Sequence, residues 1–148
     1  MPFAMTKKER EAFLADVHVA IISIADGERG PLAVPIWYDY EPGGEAWILT
    51  DRGSRKGKLL EAAGRFSLCV QTEAPPYKYV SIEGSIVAIE DYDVEKHLRP
   101  MARRYLGEQL GDSYVEQTAS DPESGGGVLV RLRPEQWLTV DYSKQFQV

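Results

Sequence analysis

The sequence has few of the residues that form disulfides and metal sites. Its 148 residues include one cysteine and two histidines. A single cysteine excludes an internal disulfide, and such cysteine usage is typical of a cytoplasmic protein. No His, Cys and Asp residues have the spacing of metal ligands, and no Ser-His-Asp order indicates a hydrolase. We therefore expect no bound metal and no catalytic side chain of these classes.

Long apolar runs and an excess of positive charge are also missing. No apolar segment is long enough to cross a membrane, and the N-terminal MPFAMTKKER is unlike a secretory signal, so we expect a cytoplasmic protein. The 17 Lys and Arg residues against 23 Asp and Glu give a net charge of −6. Without a broad basic face, nucleic acid is not an expected partner, and neither is a membrane. The length predicts one domain, residues 1–148, ordered from about residue 5 to about residue 144.

What the sequence does contain is a series of short segments rich in β-branched residues and separated by turn residues. Short turns without regular helix alternation argue against a doubly wound sheet. We predict a mostly β fold of six or seven antiparallel strands in a closed or half-closed barrel with flanking helices. Gly84 marks a bulge or a close backbone approach. The predicted strand segments are Val17–Asp26, Leu32–Tyr40, Glu45–Asp51, Arg65–Thr72, Lys78–Asp91 and Val128–Ser143.

Helix signals occur at three places. Thr6 with Glu9 three residues later predicts a capping box and a short amphipathic helix. Ser54 is a candidate N-cap for a second helix that ends at Gly64. A third helical segment should bend or divide at Pro100. That segment covers residues 93–111, a further short helix is predicted over 112–119, and a glycine-rich loop over 120–127.

The stretch TDRGSRKGKLL, residues 50–60, concentrates positive charge in an acidic chain. Arg52, Arg55, Lys56 and Lys58 lie within it, around a predicted strand-to-helix turn. A helix N-terminus offers unpaired N–H groups to an anion, whereas cations in the first turn oppose the helix dipole. A bound phosphate would offset that opposition. A solvated basic turn without a ligand is the alternative, and the spacing is not that of a Walker loop.

Several motifs in order carry a resemblance to a known family. WILTDRGSRKGKLLEAAGRFSLCVQ, the preceding LAVPIWYDYEPGG and the following YKYVSIEGSIVAIED resemble segments of the pyridoxamine 5′-phosphate oxidase-like FMN-binding split-barrel superfamily. ARRYLGEQ is similar to a helix of its deazaflavin branch, whose members use coenzyme F-420, and VLVRLRPEQWLTVDYSK to the closing strand. The likeness runs from about Met5 to Lys144. It implies a six-stranded antiparallel split β-barrel, a homodimer, and a flavin-type cofactor in each of two grooves between the subunits.

The resemblance also implies which residues contact the cofactor. Arg55 and Lys56 would hold its phosphate, Lys58 would assist, and Ser54 would cap the helix. The remaining contacts, to the ring or the ribityl chain, would come from Pro35, Ile36, Trp37, Leu49, Thr50 and Tyr79, and from Trp137 of the second subunit.

The activity implied is direct hydride transfer from reduced F-420 to a small organic acceptor such as a quinone, an enone or a tetrapyrrole-like compound. The cofactor would supply the chemistry, because no coupled acid–base pair is visible. FMN in the same fold, or a non-catalytic carrier of a flavin, tetrapyrrole or lipid, are the alternatives. Oxidation of a vitamin B6 phosphate is not expected, because the Arg-x-His element is missing after Arg133. His18 and His97 are interpreted as structural rather than as haem ligands.

Overall fold

Eight strands, all paired antiparallel, form the body of the molecule in a computed structural model that describes residues 2–119 and 127–146. The strands are β1 (Ala20–Asp26), β2 (Arg29–Ile36), β3 (Asp39–Tyr40), β4 (Ala46–Asp51), β5 (Arg65–Gln71), β6 (Lys78–Asp91), β7 (Gly127–Leu132) and β8 (Gln136–Asp141). The helices are α1 (Lys7–Ala15), α2 (Arg55–Ala63) and α3 (Arg99–Ala119), with a π-helical turn at Val94–Leu98 and a 3-10 turn at Tyr142–Phe146.

Strand β6 joins two sheets. Its first half pairs with β5 on one side and with β8 on the other, in the order β2-β1-β5-β6-β8. Its second half pairs with β7, which continues to β4 and β3. The register shifts between Ile86 and Ala88, where β6 passes from one sheet to the other. The pairings of the described strands do not close into a continuous barrel. The predicted fold class, mostly β with flanking helices and of the split-barrel type, is confirmed.

The structure has eight strands where six or seven were predicted, because two of the six predicted strand segments are divided. Within Leu32–Tyr40 the strand breaks before Tyr38, whose N–H donates to the Tyr105 hydroxyl at 3.1 Å. The carbonyl of Tyr38 lies 3.1 Å from the same hydroxyl and shares its hydrogen with the carbonyl of His18. The side chain of Tyr105 thus makes the hydrogen bonds to the Tyr38 backbone that a neighbouring strand would otherwise make. Within Val128–Ser143 the break falls around Pro134, which has no N–H for a ladder bond.

The predicted ends of the first two helices are confirmed. At α1, Thr6 N–H donates to Glu9 Oε1 at 2.8 Å and Glu9 N–H donates to Thr6 Oγ1 at 3.2 Å, which completes the capping box. The carboxylate of Glu9 also accepts from the ammonium of Lys144 at 2.7 Å, and these contacts lower its pKa to about 2. At α2, Ser54 is the N-cap and Gly64 ends the helix with a φ of 71°.

The predicted third helical segment changes type beside Pro100, because the π-helical turn Val94–Leu98 ends directly before α3, in which Pro100 is the second residue. The helical hydrogen bonding continues across this junction, where Arg99 N–H donates to the carbonyl of Val94. The break is at Gly107, with φ 83° and ψ 175°. Asp112, beyond the break, accepts from Arg99 Nη1 at 2.6 Å and from Arg103 Nε at 2.9 Å, so it holds the two halves together. Residues 120–126 of the predicted glycine-rich loop lie outside the described residues.

The core lies between the inner faces of the sheets and the helices. Alternate residues of β5 are buried, namely Phe66, Leu68 and Val70, as its period-2 pattern predicts. Ile22 of β1 and Ile82 of β6 are fully buried in the same cluster. Within the described residues, no helix has both the length and the apolar composition needed to span a membrane.

The backbone of β6 at Gly84 lies in close contact with the backbone of Arg133 and Glu135. The connection from β7 to β8 lies against it, with Glu135 N–H donating to Glu83 O at 2.9 Å, and a Cβ added at Gly84 would overlap the carbonyl of Arg133. We expect Gly84→Ala to lower the free energy of unfolding by about 1–3 kcal/mol, because neither backbone can retreat easily. Chemical denaturation measures this change. The matched control is Gly30→Ala in β2, where nothing lies within 4 Å, and equal losses in both variants would contradict the explanation.

Candidate functional site

The junction between β4 and α2 has a fixed geometry. Ser54 N–H donates to the carbonyl of Asp51 at 3.1 Å, and its hydroxyl donates to the same oxygen at 2.7 Å. The hydroxyl oxygen accepts from Gly57 N–H at 3.0 Å. Gly57 is required here because a Cβ would overlap the carbonyls of Asp51 and Arg52. The first turn of α2, with its unpaired N–H groups, is therefore held in one place by the chain before it.

A cleft lies between this junction, the end of β2 and helix α3. It has two adjoining compartments, of about 300 Å³ and about 260 Å³, which share Leu49, Lys56, Leu98 and Tyr114. The first, the apolar compartment, is also lined by Val19, Pro35, Ile36, Trp37 and Met101. The second, the polar compartment, is also lined by Thr50, Asp51, Ser54, Tyr92 and Thr118.

The cleft brings together most of the site residues predicted from the sequence. They come from three separate elements, β2, β4 and α2, and the structure places them on one surface. The residues concerned are Pro35, Ile36, Trp37, Leu49, Thr50, Ser54 and Lys56.

The indole of Trp37 is held between two tyrosine rings of α3. It stacks on Tyr105 with ring centroids 5.0 Å apart and an interplanar angle of 5°, and Tyr114 is tilted against it at 5.2 Å. The Tyr105 hydroxyl lies 2.6 Å from the carbonyl of His18, to which it donates, so the stack is anchored to the backbone. Sequence analysis missed both tyrosines, although the ARRYLGEQ motif that contains Tyr105 was a visible signal.

The cations of the TDRGSRKGKLL stretch point in different directions. Lys56 borders both compartments of the cleft. Arg55 instead forms an ion pair with Asp26 at 2.5 Å, and Arg52 pairs with Asp91 at 3.5 Å. Of the four cations in this stretch, all of which lie in the described part of the chain, Lys56 is the one that lines the cleft.

Three further predicted residues lie elsewhere in the chain's own structure. Lys58 is exposed on α2 and does not line the cleft. Tyr79 lies in the middle of its sheet, paired with Gln71 and Val140. Trp137 packs against α1, where the guanidinium of Arg10 lies 4.4 Å from its ring centroid. The predicted contact of Trp137 with a cofactor in a second subunit stays a prediction.

Two phenols near the cleft, those of Tyr92 and Tyr105, have raised pKa values. Burial raises the pKa of Tyr92, and the carboxylate of Asp51 adds to this. Burial also raises the pKa of Tyr105. Both hydroxyls are therefore protonated at neutral pH, and that of Tyr105 donates to the carbonyl of His18.

The histidines and the cysteine have local contacts away from the cleft. The ring of His18 stacks on Phe13 at 4.5 Å, and Nδ1 of His97 accepts from the N–H of Asp93 at 2.9 Å. Burial raises the pKa of the Cys69 thiol, which disfavours the thiolate. Among the described residues, no three His, Cys, Asp or Glu side chains come together as metal ligands.

Comparisons with known proteins identify the family and the fold of the chain. The sequence profile described as pyridoxamine 5′-phosphate oxidase matches residues 6–141. Among solved structures, a conserved hypothetical protein from Mycobacterium tuberculosis is similar, with a TM-score of 0.75 at 20% identity over 99% of this chain and 91% of that chain. An F420 reductase has a TM-score of 0.70 at 16% identity, over 86% and 94% of the two chains.

A third similar structure is that of an FAD and heme binding protein from Mycobacterium smegmatis. Its TM-score is 0.65 at 15% identity, over 95% of this chain and 73% of that chain. At these identities the likeness shows a shared fold. A search of curated proteins finds no significant match.

Ser54 carries the cap of the helix that borders the polar compartment. We expect Ser54→Ala to lower the free energy of unfolding by about 1 kcal/mol, because Gly57 N–H loses its acceptor. Urea denaturation measures the change. Ser54→Thr keeps both the acceptor for Gly57 N–H and the donor to the Asp51 carbonyl and should remain close to the parent in stability. An unchanged Ser54→Ala variant would show that the cap contributes nothing.

Proposed function

Because the chain belongs to the pyridoxamine 5′-phosphate oxidase family, we propose that it is an oxidoreductase that binds a phosphate-bearing flavin-type cofactor in the cleft, with coenzyme F-420 as the first candidate. The observation that carries the proposal is the division of the cleft into an apolar and a polar compartment. A planar ring joined to a phosphate tail has the same division. The similarity to an F420 reductase supports this choice of cofactor.

The residues present fit such a group. The apolar compartment offers a strand backbone at Pro35 and Ile36 and the edge of a fixed aromatic stack at Trp37. The polar compartment offers the ammonium of Lys56 and the first-turn N–H groups of α2, both of which favour a phosphate. The hydroxyl of Thr50 adds a further donor.

The side chains would bind and orient the cofactor rather than react with it. When bound, reduced F-420 supplies a hydride. The β2 backbone and Trp37 would orient the ring plane, and the apolar walls at Leu98 and Met101 would exclude water from it. The phenol of Tyr92, which burial keeps protonated at neutral pH, would donate a hydrogen bond to the phosphate at the polar end.

FMN is a second candidate, and the charges of the site favour it. F-420 is the more anionic of the two, because its tail continues past the phosphate. Additional cations would suit that tail, but Arg52 and Arg55 are paired with Asp91 and Asp26. Lys56 alone lines the cleft among the described cations of the stretch, which is sufficient for a single phosphate.

We further propose a homodimer, with a second copy seated on the outer face of the β2-β1-β5-β6-β8 sheet. Cross-strand pairing aligns Pro35, Ile21, Cys69 and Leu138 in one row across that face, through Ser81 of β6. Ile21 is 41% exposed and Leu138 is 51% exposed, which is unusual for apolar residues in the middle of strands. Pro35 also lines the cleft, so a chain on this face would border it.

The cofactor assignment is tested by Lys56→Ala with Lys58→Ala as the matched control. We expect Lys56→Ala to weaken binding of the cofactor about 10- to 150-fold, because one charge-assisted contact to phosphate is lost. The control removes the same charge from a neighbouring position of α2 that faces solvent, and it should change binding less than about threefold. Isothermal titration with F-420 and with FMN gives both affinities.

The outcomes separate the candidates. Tight F-420 binding, with oxidation of reduced F-420 by a quinone or an enone, supports the proposed activity. Tight FMN binding without F-420 affinity selects the second cofactor. Equal losses for Lys56→Ala and Lys58→Ala would contradict the placement of the phosphate, and binding without turnover of any acceptor would contradict the oxidoreductase.

The dimer is tested by a charge on the exposed face. We expect Leu138→Glu to shift the protein from dimer to monomer in sedimentation velocity, because a carboxylate would be buried without a partner. Leu110→Glu is the control, since Leu110 is 64% exposed but belongs to α3 rather than to a strand of that face. A monomeric parent, or a Leu138→Glu variant that stays dimeric, would contradict the proposed interface.

A further inference from the structure

A second cavity lies at the opposite end of β4 from the cleft. It has a volume of about 450 Å³ and is bounded by α1, the turn before β4, and the connection from β7 to β8. We call it the basal cavity. Strand β4 has 6 residues, so the two sites are roughly 16 Å apart along the strand at ~3.3 Å per residue. The basal cavity is therefore a separate site, and its ligand does not depend on the proposed function of the cleft.

Three cations border the basal cavity without an ion-pair partner among the described residues. They are Lys7 and Arg10 of α1 and Arg133 after β7. The chain has a net charge of −6, and many of its other basic side chains are paired with carboxylates. Nε of Arg10 is buried and has no hydrogen-bond acceptor. A buried, unpaired guanidinium N–H is unfavourable unless an acceptor is supplied.

Aromatic residues hold Arg10 in this position. Its guanidinium lies 4.4 Å from the ring centroid of Trp137, in the range of a cation–π contact. Trp137 meets Tyr40 edge to face, with centroids 6.2 Å apart. The cavity thus combines an apolar wall with a guanidinium whose orientation is fixed before any ligand arrives.

The charge balance of the basal cavity indicates the class of ligand. Glu11 and Glu45 also line it, together with Lys7, Arg10 and Arg133. Three cations and two carboxylates leave one positive charge in excess. That excess suits a singly charged anion better than a polyanion, because further negative charge would meet the two glutamates. The volume suits a small organic molecule.

We propose that the basal cavity binds a small organic monocarboxylate, whose apolar body packs against Trp137 and Tyr40. Arg10 and Arg133 hold the carboxylate, because a guanidinium matches its two oxygens with two N–H donors. Lys7 adds charge at the cavity mouth.

The test uses the full chain with benzoate as the ligand and NMR as the readout. The chain has three tryptophans, so their indole N–H signals, assigned by triple-resonance spectra, report on distinct places. We expect benzoate to shift the Trp137 signal saturably, while the Trp37 signal in the cleft stays unchanged. Benzamide, which has the same shape without the charge, should leave the Trp137 signal in place. A shift of Trp37 instead of Trp137, or an equal response to benzamide, would overturn the proposal.

Two variants sharpen the assignment. Arg133 is exposed, so Arg133→Gln should leave the fold intact, which the dispersion of the amide spectrum verifies. We expect it to raise the Kd for benzoate by about tenfold or more, because a charge-assisted hydrogen bond is lost. Lys8→Gln is the control for long-range charge, since Lys8 is exposed on α1 next to Lys7 but does not line the cavity. No saturable benzoate shift, or equal Kd values for the two variants, would refute the site.

Discussion

The long strand β6 belongs to two sheets. The arrangement of both sheets depends on the close approach of two backbone segments at Gly84. The first half of β6 is flanked by β5 and β8, and its second half by β7. The connection from β7 to β8 has to pass directly over Gly84 for both pairings to exist. β7 in turn pairs with all of β4, so this crossing positions the end of β4 and the start of α2. The cleft and the basal cavity therefore lie at the two ends of β4, and the position of β4 depends on β6 through the pairing of both strands with β7.

The charges around the α2 turn show how a helix distributes neighbouring side chains. Successive helical residues project about 100° apart, because a turn takes about 3.6 residues. Lys56 therefore faces the cleft while Arg55 reaches the β1–β2 hairpin at Asp26. The same principle applies to α1, where Arg10 lines the basal cavity and Lys8 does not. A count of charges in sequence thus overstates how many can converge on one ligand.

The sequence predicted the features that depend on neighbouring residues. The caps at Thr6 and Ser54 and the close contact at Gly84 were visible because each is set by local backbone chemistry. The resemblance to a family grouped the cleft residues from β2, β4 and α2 correctly in space, although their contact with a cofactor is still a proposal. The features that the sequence did not predict depend on distant partners. The strand break at Tyr38 depends on Tyr105, which lies 67 positions later, and nothing in the local pattern indicates it.

The hydrogen bonds between Tyr105 and Tyr38 also affect how chains can meet. A phenol occupies the backbone N–H and carbonyl that a free strand edge would offer to another molecule. A strand of another molecule that paired with the backbone of Tyr38 would first have to displace the Tyr105 hydroxyl from the N–H and carbonyl of Tyr38 and from the carbonyl of His18. One aromatic side chain thus closes one point of entry for misassembly, at the break between β2 and β3.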